Sequence, residues 1–360
     1  MKKVLSLLLS SILIFGLAAL TGCSPKDSGT STYDIAMITD IGTIDDKSFN
    51  QGTWEGIVAY AEKKNITHKY YKPTEQSTDA YLAAIQLAVQ SGAKVIVTPG
   101  FLFDEPIYKA QDLYPNVKFV LIDGTPHNAD LTDFKTGTNT VGITFAEEQS
   151  GYLAGYAAVK DGYTKLGFMG GMALPAVMRF GYGFVQGADA AAKEMGISNI
   201  DIKYHYTGDF LATPETQTLA ASWYADGTQV IFGCGGAVGN SVMSAAEAAK
   251  AKVIGVDVDQ SSESATVITS AMKGLAVAVQ STLDQYYANK FPGGQNLVYA
   301  ADKDGVQLPM STSKFTKFTK AEYDAVYAKL KAGEIKILKD TDVTDVNQIP
   351  VSNVKVTLVN

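Results

Sequence analysis

A carboxylate, an aromatic ring and an amide come together just after the first predicted strand of the chain. Ile35 to Ile38 is a short apolar run without alternation, the pattern of a strand buried on both faces. Asp40 follows this strand, and Phe49 and Asn50 stand at the start of the next predicted helix. Open α/β sheets bind small ligands outside the carboxyl ends of their strands. The three side chains suit a flat, hydrogen-bonding molecule such as a nucleobase, although Phe49 could simply pack under the helix while Asn50 caps it.

The second half of the chain places unusual residues at the ends of several predicted strands. Phe210 follows the strand IKYHY, Gly236 follows VIFGC, Asp257 follows KVIGV, and Lys273 comes just before a long predicted helix. A carboxylate can accept hydrogen bonds from sugar hydroxyls, an ammonium group can donate to oxygen atoms, and a glycine lets the backbone approach a ligand closely. Ordinary explanations stay open, because Asp257 and Lys273 could pair at the surface and the glycine turn lacks the lysine of a phosphate-binding loop.

These residues lie on a chain in which predicted strands and helices alternate. The apolar runs predict strands at 34–39, 67–71, 95–98, 118–122, 140–144, 165–169, 202–206, 229–233 and 252–256. The helical patterns fall at 51–63, 78–91, 105–113, 147–160, 179–195, 214–226, 239–250 and 274–290, followed by a short strand at 297–300 and a helix at 320–332. This alternation predicts an α/β fold with helices on both faces of parallel sheets.

The length of the chain predicts two lobes, because 360 residues are more than one hydrophobic core normally serves. The predicted strands divide into two sets near 145–150. We predict that the first lobe comprises 33–146 together with about 276–360, and that the second comprises 147–275. The chain would then cross between the lobes more than once. Several crossings form a hinge, and a cleft between hinged lobes is where a ligand would be clamped.

The N-terminus predicts export and a lipid anchor. Two lysines precede an apolar run from Leu5 to Leu20, and small residues then lead to Cys23. The run is shorter than the roughly 20 residues that span a bilayer, which disfavours the alternative of an uncleaved membrane helix. We predict a lipoprotein signal peptide at 1–22, lipidation (palmitate) of Cys23 and a flexible tether at 23–32. The protein is therefore expected at the cell membrane, anchored by lipid on the extracytoplasmic side.

The composition argues against nucleic-acid binding and catalysis. Removing the two lysines of the signal peptide from the 30 basic residues leaves 28 against 37 acidic residues, a net charge of about −9, whereas nucleic acids reward clustered positive charge. With Cys23 lipidated, Cys234 stands alone, so no disulfide and no cysteine metal site is predicted. The three histidines lack metal-ligand spacing, and only Asp40 with Asp45 and Asp46 could suggest a cation-dependent nucleoside hydrolase. We predict a binding protein without a cofactor or metal.

Several motifs together resemble one protein family over essentially the whole mature chain. In order they are DIGTIDDKSFNQGTWEG, LIDG, TFAEEQSGYLAGYAA, VMRFGYGFVQGA, GCGGAVGN, VIGVDVDQ and VITSAMK. The chain resembles the basic membrane protein (BMP) lipoproteins, the PnrA-like substrate-binding proteins of nucleoside ABC transporters. The resemblance implies a type I periplasmic-binding-protein fold, with two Rossmann-like lobes joined by a multi-stranded hinge. It also implies a monomer that binds purine nucleosides (guanosine, inosine or adenosine) and delivers them to the permease subunits of an ABC importer.

The resemblance assigns roles to individual residues. Phe49 matches one of two aromatic residues that sandwich the base, and Asn50 and Asp123 match residues that hydrogen-bond the edge of the base. Asp257 and Lys273 match residues that hold the ribose hydroxyls, with the glycine turn near Gly236 alongside.

The second stacking aromatic is the position where the sequence departs from the family pattern. We predict Phe210, with Tyr182 and Phe184 as alternatives. The family commonly continues with an acid and a proline at this point, whereas Phe210 is followed by LATP.

Two other functional classes stay open. A binding protein of the same fold for a sugar or another small ligand would explain the cleft and the lipid anchor equally well. Phe49 with Asp123 favours an aromatic heterocycle, because sugars also stack but seldom need an acid at the edge of the aromatic ring. A membrane-associated regulator or adhesin could use this fold without transport.

Overall fold

The computed structural model describes residues 33–359. The predicted signal peptide, the predicted lipidation site Cys23 and the predicted tether lie outside the described residues. No helix within 33–359 is long and apolar enough to cross a membrane.

Strands and helices alternate along the described chain, close to the predicted bounds. The strands are β1 (Ile35–Ile38), β2 (His68–Tyr71), β3 (Val95–Pro99), β4 (Lys118–Ile122), β5 (Thr140–Phe145), β6 (Lys165–Gly170), β7 (Ile200–Tyr206), β8 (Val230–Cys234), β9 (Lys252–Asp257), β10 (Val267–Lys273), β11 (Gln295–Tyr299), β12 (Val306–Gln307) and β13 (Val354–Leu358). The helices are α1 (Phe49–Lys64), α2 (Thr78–Gln90), α3 (Asp104–Leu113), α4 (Glu147–Lys160), α5 (Pro175–Met195), α6 (Pro214–Ala225), α7 (Val238–Ala249), α8 (Leu275–Tyr287) and α9 (Lys320–Lys331). Strand β10 was not predicted, because Thr269 and Ser270 interrupt its apolar run although both are buried.

Within residues 33–359 the strands form two sheets of nearly the same order. The first sheet runs β2-β1-β3-β4-β5-β11 and is parallel throughout. The second runs β13-β7-β6-β8-β9-β10-β12, and only the edge strand β12 is antiparallel to its neighbour. Strands β1, β3 and β8 are buried at every residue, as expected when helices cover both faces of a parallel sheet.

The C-terminal part of the chain is divided between the two lobes. Helix α8 packs against α1, and β11 pairs with β5, so residues up to Tyr299 lie with the first sheet. Strands β12 and β13 instead pair with β10 and β7 of the second sheet. The prediction that all of 276–360 belongs to the first lobe is therefore wrong beyond Tyr299. The reason is that β12 has two residues and β13 is largely exposed, so neither strand carries a pattern that reveals its sheet.

The described chain crosses between the lobes at Ala146, at Gly274 and at 300–305. Hydrogen bonds join these crossings to the neighbouring backbone. The backbone N–H of Ala146 donates to the carbonyl oxygen of Tyr299 (3.1 Å), and that of Gly274 donates to Gly305 (2.8 Å). The crossings therefore form one connected hinge, the arrangement in which two lobes can move as bodies around a ligand.

Helices α4 and α5 of the second lobe pack with their backbones in contact. A Cβ atom added at Gly155 would overlap the carbonyl oxygen of Phe184, and one at Gly183 would overlap the carbonyl oxygen of Glu148. Glycines one helical turn away face the opposite backbone in the same way, at Gly151 and Gly187. Because residues four apart share one face of a helix, each helix presents a glycine stripe to the other. This close approach brings the first turn of α4 beside the first turns of α5.

The close contact between the α4 and α5 backbones predicts that one added methyl group strongly lowers the stability of the fold. Gly155→Ala should lower the free energy of unfolding by about 1–3 kcal/mol, because the opposing carbonyl belongs to a helix backbone that cannot turn aside. Urea unfolding followed by circular dichroism measures this loss. Gly239→Ala is the matched control, since Gly239 lies in α7 with no heavy atom within 3.8 Å of an added Cβ. Equal stability of the two variants would contradict the proposed packing constraint.

Candidate functional site

A cleft lies where the carboxyl ends of the two sheets face each other. It encloses about 700 Å³ of space between atoms, including the part open to solvent. The structure brings all the residues predicted to bind ligand to its walls, namely Asp40, Phe49, Asn50, Asp123, Phe210, Gly236, Asp257 and Lys273. Residues of both lobes contribute, as expected of a cleft between hinged lobes.

The first turn of α1 is held by a carboxylate that sequence analysis did not place in the site. Asp46 is 3% exposed and accepts hydrogen bonds from the backbone N–H groups of Ser48 (2.9 Å), Asn50 (2.9 Å) and Gln51 (3.1 Å). These are donors that a helix N-terminus otherwise leaves without partners. Asp46 therefore fixes the start of α1, and with it Phe49 and Asn50, at the wall of the cleft.

Two carboxylates set the orientation of the Asn50 amide. Its Nδ2 donates to Asp40 Oδ1 (2.9 Å) and to Asp46 Oδ2 (3.1 Å), and Asp40 Oδ1 also accepts from the backbone N–H of Gly42 (2.7 Å). The remaining amide atom, Asn50 Oδ1, is buried without a hydrogen-bond partner among residues 33–359. Asn50 lines the cleft, so this unpaired acceptor lies in the cleft wall. Burial raises the pKa of Asp40 to about 6, against the lowering effect of the bonds from Asn50 and Gly42.

A buried ammonium group joins the two lobes. Lys273 ends β10 in the second lobe, and its Nζ donates to Asp123 Oδ2 of the first lobe. The same Nζ lies 3.3 Å from Asp257 Oδ1, 4.0 Å from Glu147 Oε1 and 4.4 Å from the centre of the Phe49 ring. Burial disfavours the charge, but the carboxylates of Asp123, Asp257 and Glu147 outweigh it and raise the pKa of Lys273. Asp257 and Lys273 do pair, as considered from the sequence, but inside the cleft.

Asp123 and Asp257 occupy equivalent places in the two lobes. Asp123 follows β4 and Asp257 ends β9, strands that stand at the same position in their sheets. Both have left-handed backbone conformations, with φ values of 60° and 65°. Such conformations are uncommon for residues other than glycine and are frequent at functional sites. The second oxygen of Asp123, Oδ1, is buried and has no hydrogen-bond partner within the described part of the chain.

The aromatic residues at the cleft differ in part from the predicted ones. Phe49 and Phe210 both line it, but the alternatives for the second aromatic, Tyr182 and Phe184, are buried away from it. Phe101 and Phe180 line the cleft and were not predicted. Phe210 packs closely on two glycine turns, because a Cβ at Gly171 or Gly235 would lie 2.5 Å or 3.3 Å from its ring.

Glu147 and Arg179 lie behind Lys273 and were not predicted from the sequence. Both stand in motifs that carried the family resemblance, but no spacing signal marks them as neighbours, since they lie near the starts of two different helices. Glu147 is fully buried, and its Oε2 accepts from Nη1 of Arg179 (3.4 Å). Burial, together with the charge of Asp123, raises the pKa of Glu147 to about 8, and the cations of Lys273 and Arg179 oppose this shift.

The raised pKa values predict that stability falls as the pH rises. The ordinary pKa of Glu147 is 4.5, so between about pH 4.5 and pH 8 its folded form retains a proton that the unfolded chain releases. Asp104 acts in the same direction, because burial raises its pKa to about 8. Each such group lowers the free energy of unfolding by at most about 1.4 kcal/mol per pH unit. Urea unfolding from pH 5 to pH 9 should give a shallower decline for Glu147→Gln than for the wild type.

The matched control for this measurement is Glu334→Gln, at an exposed glutamate after α9. It should leave the slope of stability against pH unchanged. An unchanged slope in Glu147→Gln as well would mean that Glu147 is ionised throughout this range.

Comparisons with known proteins agree with the geometry. The family model described as "ABC transporter substrate-binding protein PnrA-like" matches residues 34–344. The "ABC transporter nucleoside-binding protein BmpA" of Lactococcus lactis subsp. cremoris is 32% identical over 91% of this chain and 98% of its own length. The "CD4+ T-cell-stimulating antigen" of Listeria monocytogenes is 30% identical over 93% of this chain and 98% of its own length.

A solved structure shows the same fold. The crystal structure of an ABC transporter solute-binding protein from Aeropyrum pernix K1 superposes with a TM-score of 0.76 at 22% identity, covering 88% of this chain and 96% of the other. This likeness confirms the predicted α/β fold of the type I periplasmic-binding-protein class. Together with the family match and the relatives, it shows that the chain belongs to the PnrA-like (BMP) family of ABC transporter substrate-binding proteins.

Proposed function

We propose that this protein captures purine nucleosides in the interlobe cleft and delivers them to the permease of an ABC importer, while a lipid on Cys23 holds it at the outer face of the cell membrane. The observation that carries the proposal is a pair of buried acceptors, Asn50 Oδ1 and Asp123 Oδ1, at the wall of a cleft that Phe49 also lines. We propose binding rather than catalysis as the role of this site.

The acceptors suit the edge of a purine. A carboxylate can only accept hydrogen bonds, and the Asn50 amide donates through its Nδ2 to Asp40 and Asp46, which leaves its oxygen available as an acceptor. Guanine and hypoxanthine carry a donor at N1, and guanine carries a second donor on its exocyclic amine. Leaving buried acceptors unsatisfied is costly, so a base with such donors gains more than a ligand without them. The ring of Phe49 supplies a surface on which the base can stack.

The second lobe supplies groups suited to the ribose. Asp257 can accept hydrogen bonds from hydroxyl groups, and Lys273 can donate to hydroxyl oxygens. Asp257 Oδ2 is already held by the Oγ of Ser48 from the first lobe at 2.5 Å, which fixes the carboxylate in the cleft. A ligand that contacts Asn50 in one lobe and Asp257 in the other would favour the closed arrangement of the lobes.

The relative named as a nucleoside-binding protein supports this ligand class. A sugar or another small ligand is the alternative, because it too could use Asp257 and Lys273. Mass spectrometry of the small molecule that copurifies with the protein distinguishes the two. Guanosine, inosine or adenosine would support our proposal, and a hexose would overturn it.

Two substitutions should change nucleoside binding in different ways. Phe49→Ala removes a stacking surface and should weaken all purine nucleosides by about 1–3 kcal/mol with little change in preference. Asp123→Asn should change the preference itself. Lys273 can only donate, so it should take the new amide oxygen and leave the amide NH₂ group facing the base. This group suits the N1 acceptor of adenine, so guanosine and inosine should lose about 1–2 kcal/mol relative to adenosine.

Titration calorimetry with guanosine, inosine and adenosine measures both effects. Phe134→Ala and Asp133→Asn are the matched controls, because both residues are exposed and neither lines the cleft. If Phe49→Ala and Asp123→Asn both bind guanosine like the wild type, the base does not lie where we place it.

The lipid anchor can be tested separately. Cys23→Ala should lose the lipid mass and leave the membrane fraction, or stay unprocessed, because two acyl chains hold a protein stably at a membrane. Cys234→Ala is the control, since this cysteine is buried in the second lobe and should not affect labelling. Equal mass and membrane retention in Cys23→Ala would refute lipidation at this position.

A further inference from the structure

A line of charged side chains connects Lys273 to the C-terminal part of the chain. Glu147, at the start of α4, lies with Oε1 4.0 Å from Lys273 Nζ and with Oε2 3.4 Å from Nη1 of Arg179. Arg179 in turn donates to both oxygens of Asp340, from Nε at 2.6 Å and from Nη2 at 3.2 Å. The side chain of Glu147 has no exposed surface, and those of Arg179 and Asp340 are 18% and 12% exposed.

Asp340 belongs to the C-terminal linker, which we define as residues 332–353 between α9 and β13. This linker runs along α5. Besides the Arg179 contact, the side chain of Gln186 exchanges hydrogen bonds with the backbone of Leu338 (2.8 and 2.9 Å). Asp189 Oδ1 accepts from the backbone N–H groups of the last two linker residues, Ser352 and Asn353, at 2.9 and 2.7 Å. Of these anchors, the one at Arg179 continues towards the cleft through Glu147.

We propose that Glu147, Arg179 and Asp340 are positioning residues that hold the ammonium group of Lys273 in place, so that the C-terminal linker sets the ligand affinity of the cleft. The effect on affinity rests on the proposed function, in which Lys273 contacts the ligand. The holding of Lys273 itself does not depend on which ligand binds.

The chemistry of the side chains explains this arrangement. An ammonium group on a flexible four-carbon stem keeps one position only when partners surround it, and Asp123 and Asp257 flank Lys273 from the two lobes. Glu147 adds a third carboxylate on the α4 side. Without a further constraint, the Glu147 carboxylate between these two cations could move towards either one. Arg179 is a planar fork, and its paired bonds to Asp340 fix its plane and therefore the position of Glu147.

The experiment compares two of the contacts between this linker and α5. Asp340→Asn removes the charge that holds Arg179, whereas Asp189→Asn removes the charge from a linker anchor that does not reach the cleft. Calorimetry on the full chain in detergent should show that Asp340→Asn weakens guanosine binding by about 2- to 30-fold. Asp189→Asn should change the affinity less than twofold, while thermal unfolding should show a loss of stability comparable to that of Asp340→Asn. Asp340→Glu should restore part of the affinity, because it restores the charge.

A second measurement follows the reactivity of the Lys273 amine in the absence of any ligand. Acetylation requires the neutral amine, and removing a carboxylate from this cluster disfavours the charged ammonium. At pH 9, above the pKa of Glu147, mass spectrometry should therefore show faster acetylation of Lys273 by acetic anhydride in Asp340→Asn and in Glu147→Gln than in the wild type. Asp189→Asn should match the wild type. The double variant Glu147→Gln with Asp340→Asn should show less than the sum of the single effects, because both residues act through one chain of contacts.

The outcomes separate the two proposals. If the wild type binds no purine nucleoside, the proposed function fails, and the acetylation rates still decide whether the linker holds Lys273. If folded Asp340→Asn keeps both the affinity and the acetylation rate of the wild type, the positioning role is refuted. Equal effects of Asp189→Asn and Asp340→Asn on affinity and acetylation would also refute it. The linker would then act by general stabilisation of the second lobe and not through Arg179 and Glu147.

Discussion

The arrangement of the cleft depends on one buried cation, the ammonium group of Lys273. A charge taken out of water costs several kcal/mol unless close partners compensate for it. Asp123 supplies such a partner from the first lobe, and Asp257 and Glu147 supply others from the second. The two lobes contact each other at the point where these carboxylates surround the ammonium group. The charge that a ligand would contact is thus also the charge that joins the two halves of the molecule.

This requirement also accounts for local features that would otherwise be unfavourable. Asp123 and Asp257 adopt left-handed backbone conformations at the ends of equivalent strands, and both carboxylates thereby reach the same ammonium group. The cluster holds more carboxylates than cations, which agrees with the raised pKa of Glu147. Such strain and incomplete charge balance are typical of sites that serve binding rather than stability.

Helix packing away from the cleft determines whether the charged cluster around Lys273 can form. The glycine stripes of α4 and α5 let the two backbones touch, and the N-terminal turns of these helices carry Glu147 and Arg179. A larger residue on either stripe would separate the helices and with them the two side chains. On the other side of the cleft, Asp46 holds the first turn of α1, and Asp40 and Asp46 orient the Asn50 amide. Each wall of the cleft is therefore positioned by polar groups behind it.

Sequence patterns account for the alternation of strands and helices, the two-lobed α/β class and eight of the residues that line the cleft. The elements, and most of these cleft residues, follow from local apolar patterns and from the rule that the carboxyl ends of parallel strands share one edge, whereas Asp123 was assigned by the family resemblance. Only the tertiary structure decided that Asp123 pairs with Lys273, that Glu147 and Arg179 lie behind them, and that Tyr182 and Phe184 turn away from the cleft. It also placed β12 and β13 in the second sheet. These outcomes depend on contacts between residues far apart in the chain, and no local pattern encodes such contacts.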